Sequence, residues 1–297
     1  RWFLTEMQRH SHSISNQQSM KAIISSLMKI KNQHLPSYSM HDGQINLNIT
    51  APKSWRELSQ DELRYTLFLL TRFQEPLTVK TYLFCRLAGI EIIKHTRTGW
   101  KCSVLCRVDG KSRPKRKVIY LETEIVLSLL SQFDFIDGFD NFQPLQAISG
   151  LKAVTSIRKI TFQDYLFSEK YYQLYLMHKE DKFLQQLGYL LYRDEDGKRD
   201  DSVNFTAEEL LGTFLWYSDF KQVAAANFPH FFKNTKEGEE PTMEDITMGI
   251  RAQVRALTDG DITKQQAVFE TDCWAALTEL DEKAREAEEY NEKMKSL

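Results

Sequence analysis

The densest concentration of side chains able to do chemistry is a run of cations: Lys94, Arg97, Lys101, Arg107, Lys111, Arg113, Lys115, Arg116 and Lys117. Only Asp109 opposes them, and Trp100 lies beside them. Such a cluster can neutralise phosphates and release their counterions, giving an affinity for DNA or RNA that falls with salt. The candidate nucleic-acid contacts are Lys101, Arg107, Lys111, Arg113, Lys115, Arg116 and Lys117, on a basic hairpin around 94–117. The simpler reading of the same residues is a solvated hairpin whose charges keep its edge from pairing with other sheets. A single tryptophan is also less aromatic interleaving than single-strand binders use.

Other reactive residue types do not assemble into a recognisable centre. Cys102 and Cys106 fall on one face of an expected strand, but too far apart along it to share a metal, and no second pair completes a site. His10 and His12 sit in a polar segment and read as solvated. The loop Asp194 to Asp201 is crowded with carboxylates, yet its Gly197 is misplaced for a calcium-binding EF-hand, so a solvated turn is expected. Glu91, Glu122 and Glu124 lack a spaced partner for general acid/base work. There is no P-loop, dinucleotide fingerprint, zincin helix or nucleophile elbow. The expectation is a protein without cofactor or metal, and not an enzyme.

The elements that must position the basic run lie between Trp55 and Tyr120. Ser59 and Glu62 stand in the relation of a capping box, and Leu58 and Leu63 can close a hydrophobic staple, so a helix opens at Ser59. Leu63, Leu67 and Leu70, widened by Phe68 and Leu69, give it a core-facing stripe, and Glu75-Pro76 ends it. Thr78 is expected to cap a second helix, Val79 to Leu87, closed by Gly89. The period then switches to two. Ile90 to Ile93, Trp100 to Val108 and Lys117 to Leu121 predict a three-stranded antiparallel meander, with Asp109-Gly110 in a loop longer than two residues.

Beyond it, Thr123 to Phe133 reads as a helix. The connection Asp134 to Gly150 carries Phe133, Phe135, Phe139 and Phe142 at its start, which are expected to plug it onto a core. Thr161 caps a helical tract whose Tyr165, Tyr172, Tyr175 and Leu176 form an aromatic face suited to a core or interface. Whether one kinked helix or two runs through to Leu191 stays open. Thr206 with Glu209 gives a second capping box, and the helix it opens ends near Phe228-Pro229. Thr242 and Asp245 start another that closes at Asp259-Gly260. A last helical tract, Thr263 to Lys295, ends net acidic, and its apolar Trp274, Leu277 and Leu280 are the expected partner-docking seam.

The fold class expected is α+β, mainly α, with a small three-stranded antiparallel meander. Four parts are expected: an arm at 1–39; a helix-pair and meander domain at 40–150; a helical region at 151–232; and C-terminal helices with an acidic tail at 233–297. Before the helix pair, Ile45, Leu47 and Ile49 alternate as a strand. The 297 residues, 42% hydrophobic with a net charge of -2, fit a globular chain with no global pull toward nucleic acid or anionic membranes. Four cysteines without paired short spacing suit a reducing compartment, and no apolar run is long enough to span a bilayer, so a cytoplasmic location is expected.

The run "APKSWRELSQDELRYTLFLL", followed by "VKTYLFCRLAGI" and the meander, resembles proteins carried by prophages and integrated elements of gut Bacteroidetes. The closing "CWAALTELDEKAREAEEYNEK" is similar to them too. The resemblance covers these pieces and transfers no catalytic residue. It implies a non-enzymatic phage or mobile-element accessory protein, a tail-assembly or morphogenesis factor that works by binding partner proteins. The alternative is a nucleic-acid-binding accessory protein using the basic hairpin.

Overall fold

The structure is a computed structural model. It describes residues 37–41, 44–48, 51–108, 113–233 and 242–295, with backbone alone at 37–48 and at 107–108. The fold is α+β and mainly helical, with ten α-helices among the described residues. The chain divides into two compact units, Arg1–Gln143 and Pro144–Leu297, a boundary that falls inside the aromatic-rich 134–150 connection.

In the first unit, strands β1 (Ser37–His41) and β2 (Gln44–Asn48) form an antiparallel hairpin. Helix α1 (Gln60–Arg72) opens with the expected reciprocal cap: the Ser59 hydroxyl accepts from the Glu62 amide, and the Glu62 carboxylate accepts from the Ser59 amide at 2.8 Å. Leu58 and Leu63 are both buried, as a staple requires. Helix α2 (Pro76–Leu87) starts three residues earlier than Thr78 would have set it. Pro76 occupies the first turn, where its missing N–H costs nothing, and Thr78 instead donates its hydroxyl to the Glu75 carboxylate. Gly89 follows in the left-handed region at φ 61°.

The meander is β3 (Ile90–Thr96), β4 (Gly99–Val108) and β5 (Lys115–Glu122), antiparallel throughout, with a bulge between Ile92 and Lys94. The turn Asp109-Gly110 lies outside the described residues. At its far end β4 also pairs in parallel with β1, Ser37 opposite Arg107. Alternation sorts the side chains: Ile90, Cys102, Val104, Cys106 and Leu121 are buried on one face, which α2 and α3 (Thr123–Ser131) cover. Beyond α3 a 3-10 turn, Asp134–Asp137, is held to α2 by Lys80, whose ammonium meets Asp134 at 2.5 Å and Asp137 at 2.8 Å. Phe133 and Phe142 are buried here, and Trp55, 1% exposed, packs its ring on Phe135 and Phe142 while its indole N–H donates to the Gly138 carbonyl. Phe133, Phe135 and Phe142 do plug the connection onto a core, while Phe139 is only partly buried.

The second unit begins with a small sheet that the spacing of the sequence does not predict. The short strands β6 (Ala147–Ile148) and β7 (Leu151–Ala153) turn through Ser149 and Gly150, both at positive φ, and β7 pairs with β8 (Tyr192–Arg193). Helices α4 (Phe162–His178) and α5 (Asp181–Leu191) are separate, broken where Lys179 takes φ 55°. Gly188 of α5 lets the Phe205 ring lie against the helix; a Cβ there would come 1.9 Å from a ring carbon. Helix α6 (Ala207–Asn227) opens with the Thr206/Glu209 box, and α7 (Pro229–Phe232) follows at once. Helix α8 (Met243–Thr258) carries the Thr242/Asp245 box and ends at Asp259, φ 52°. The polar linker expected from Lys233 to Glu240 lies, past Lys233, outside the described residues. The final tract is not one helix but α9 (Gln265–Glu270) and α10 (Cys273–Lys295), interrupted at Thr271-Asp272, where Asp272 bridges to Thr161. No helix among the described residues is long and apolar enough to cross a membrane.

Candidate functional site

The expected basic hairpin is real as a β-structure, but the strand pairing distributes its cations over two faces. Lys101 is opposite Lys94 on one side and Tyr120 on the other, so these three residues form one rung across the open face of the meander. The next rung is Glu91, Ser103 and Val118, and beyond it Leu105 pairs with Arg116. Arg116 bonds Glu91 at 2.7 Å and Ser103 at 3.1 Å, which fixes its side chain across this same face. Lys115 and Lys117 pair instead with Cys106 and Val104, so they stand at the margin of the covered face. Arg113 is exposed just before β5. Lys111, and the side chain of Arg107, lie outside what is described. Of the expected nucleic-acid contacts, then, only Lys101 and Arg116 are brought together on the open face. Lys94 completes that face as its third cation.

Trp100 belongs to the other side. It pairs with Leu121, is only partly exposed, and meets His95 edge-on at 5.4 Å, so it cannot stack a base among Lys94, Lys101 and Tyr120. The apolar surface on the open face comes from residues that reading cations along the chain did not single out: Val118 is 60% exposed and Tyr120 47%. Tyr120 is oriented by its hydroxyl, which bonds those of Thr96 and Thr98 at 2.8 and 2.6 Å. Among the described residues, the side chains of Lys94, Arg97, Lys101, Arg113 and Lys115 make no ion pair. The carboxylates of this face flank the lysine rung, one on each side: Glu91, already held by Arg116, in the rung with Ser103 and Val118, and Glu122 in the rung with Gly99.

The expected docking seam turns out to be occupied by its own unit. Leu277 is fully buried and Leu280 nearly so, with Cys273 and Ala276 completing the same stripe. These four recur at helical spacing, the mark of a helix face already covered. Trp274 is half-buried, its ring 4.7 Å from Phe228 and under the Arg158 guanidinium at 4.3 Å. The exposed part of α10 begins later. Asp281 caps α7 by accepting from the His230 and Phe231 amides at 2.8 Å, and Glu288 holds His230 at 2.9 Å and Lys233 at 3.2 Å. Lys283 reaches back to Asp259 at 2.7 Å. From Glu289 to Lys295 every residue is exposed, including Tyr290 at 64% and Met294 at 54%.

The tyrosine stripe of α4 packs inward. Tyr165 and Tyr175 are buried, and Tyr172 stacks on Phe214 and tilts against Tyr217 of α6. Glu169 sits among them, accepting from the Tyr217 hydroxyl at 3.2 Å and pairing with Lys221 at 2.9 Å. The carboxylate-rich loop is organised by Arg199, which leaves it to bond Asp164. No group of three or more His, Cys, Asp or Glu able to hold a metal ion occurs among the described residues.

The four cysteines are free thiols. Burial pushes Cys85 and Cys273 up to about 12 and raises Cys102 and Cys106 as well, the Lys117 ammonium partly offsetting the rise at Cys106. Nucleophilic chemistry needs the thiolate. At about pH 8, Cys85 and Cys273 should react with a disulfide reagent on the order of 1,000-fold more slowly than a free thiol, and all four should titrate after unfolding. A fast stoichiometric burst mapping to Cys85 or Cys273 would contradict this.

Comparison of the chain with protein-family models, with curated proteins and with solved structures finds no match.

Proposed function

We propose that this chain is a non-enzymatic interaction protein, an assembly or morphogenesis factor of a phage or mobile element, that docks a partner protein through the distal end of α10. One observation supports the reading above the rest. Every residue of the helix from Glu289 to Lys295 is exposed, and Tyr290 at 64% and Met294 at 54% stand four residues apart on one side of it. Helix-in-groove recognition uses such i, i+4 anchors. The phage setting rests on the resemblance of the helix pair, the meander and the closing helix to prophage proteins.

Removing everything from Trp274 onward would be an uninformative test, because it deletes Leu277 and Leu280 from the core of the unit. The discriminating experiment places a photo-crosslinking residue at position 290 of the full chain, in the organism that makes it, with position 152 as an exposed control. The expected result is one dominant adduct with a structural or assembly protein, diminished by Met294→Lys while thermal stability is unchanged. Adducts no stronger than those from position 152 would overturn the reading.

A further inference from the structure

We propose that the open face of the meander is a binding site for a short stretch of single-stranded nucleic acid, centred on the rung Lys94, Lys101 and Tyr120. This adds a ligand class on the first unit and does not depend on how α10 is used.

Three features of the face argue for it. First, Lys94 and Lys101 are directly opposed across two strands, where paired Cα atoms are only about 4.5–5.5 Å apart, and neither has an ion-pair partner among the described residues. Like charges so placed repel in the free protein, and an anion between them removes the repulsion. Secondly, the cations are interleaved with Val118 and Tyr120, apolar surfaces left about half exposed. A duplex offers a surface only phosphates and sugars unless a groove admits the protein. Unstacked bases offer both a π-face and a charged backbone, which is what this mixture fits. Thirdly, Tyr120 is held by its hydroxyl to Thr96 and Thr98, so its ring is positioned before any ligand arrives. The carboxylates do not defeat the arrangement, since Glu91 is already neutralised by Arg116 and Glu122 stands a rung away from the lysine pair. Exposed Arg97, Arg113 and Lys115 extend the positive field around the face. From Arg116 to Tyr120 the platform runs about 13 Å, enough for two or three nucleotides.

The same geometry separates this site from a general basic patch. A purely acidic segment could satisfy Lys94 and Lys101 but has no ring or apolar side chain to lay on Tyr120 and Val118, whereas every nucleotide brings a base with its phosphate.

The test is fluorescence anisotropy with the full chain, using labelled oligo-dT and oligo-U of about 20 nucleotides, the matching duplex and poly-glutamate, over about 50 to 300 mM salt. Single strands should bind and duplex should bind at least about tenfold more weakly. Lys94→Gln with Lys101→Gln should lower affinity at least tenfold and flatten the log–log salt slope by about 1.4, from about 0.7 per phosphate contact on single strands. The same double change should raise the melting temperature slightly, because it removes the repulsive pair, a gain that loss of folding could not produce. Tyr120→Ala should cost roughly tenfold, with Tyr120→Phe retaining most of the affinity. Lys152→Gln with Lys182→Gln, an equal loss of exposed charge in the second unit, should change nothing. Absence of binding at the lowest salt, equal affinity for duplex, displacement by poly-glutamate as readily as by oligonucleotide, or indifference to the Lys94/Lys101 change would each overturn the proposal.

Discussion

Asp164→Ala is expected to destabilise the second unit by roughly 3–5 kcal/mol, the usual cost of stripping one partner from a buried ion pair. Asp164 is 8% exposed in the first turn of α4 and accepts from two guanidiniums. Arg193 meets it at 2.9 Å from β8, with its own side chain 16% exposed, and Arg199 reaches it from the following loop. Removing the carboxylate leaves the Arg193 charge desolvated, with the Tyr189 and Tyr192 carbonyls as its remaining partners among the described residues. The carboxylate also faces the amino-terminal dipole of α4, which adds a few tenths of a kcal/mol or more to its loss. Arg199 is 47% exposed, so Arg199→Ala should cost no more than about 1 kcal/mol. Replacing both buried partners, Asp164→Leu with Arg193→Met, should recover much of the loss, because burying no charge is nearly as good as burying a matched pair. Native-state hydrogen exchange in α4 and α5 reads these differences within the unit. Equal effects of Asp164→Ala and Arg199→Ala would show that the pair is not what holds this corner.

How much of this was legible beforehand depended on whether the signal was local. Ser59 with Glu62, Thr206 with Glu209 and Thr242 with Asp245 each announced a helix start, because a capping box is complete within four residues and needs nothing from the rest of the chain. Pro76 misled in a local way: it was read as a stop for α1 when it is also a favoured first-turn residue of α2. The strands Ala147–Ile148 and Leu151–Ala153 are too short to show a period of two, so only the Ser149-Gly150 turn pointed to them. The break between α9 and α10 is tertiary in origin, since Asp272 leaves the helical path to bridge Thr161.

The candidate site residues were harder to place for a different reason, which is that charge and hydrophobicity have to be counted across the strands and round the helix as well as along the chain. Trp100 and Lys101 are neighbours in sequence and therefore on opposite faces of β4. Lys94 and Lys101 are seven residues apart and become adjacent only through the register that the bulge at Ile92/Lys94 sets. Likewise Trp274, Leu277 and Leu280, taken by themselves, read as a short partner-docking seam. Adding Cys273 and Ala276 shows the i, i+3, i+4, i+7 stripe of a helix buried against its own unit, and that signal was present in the sequence.

The aromatic face of α4 was legible as a core, and it leads to the other large effect: the second unit should unfold as pH rises from about 10 toward 12. Burial pushes the Tyr172 phenol up to about 12 and raises Tyr175, while Tyr165 and Tyr217 are driven well above the ordinary value by burial and then by the nearby Glu169 carboxylate. A raised phenol leaves stability untouched while both states keep their protons. Above about pH 10 the unfolded chain sheds protons that the folded unit retains, so stability falls with every further step in pH. Each of the four removes roughly 1.4 kcal/mol of stability by about pH 11, together about 5–6 kcal/mol, which is comparable to the whole stability of a typical domain. Tyrosinate absorbance and exchange protection in α4 and α6 should therefore change together in one cooperative step. Tyr172→Phe, which gives up its bond to Ser218, should shift that step upward by removing one of the titrating groups. Smooth, non-cooperative ionisation of these tyrosines near their ordinary value, with α4 still protected, would mean that the stripe is accessible and that Glu169, Lys221 and the surrounding rings do not form a closed core.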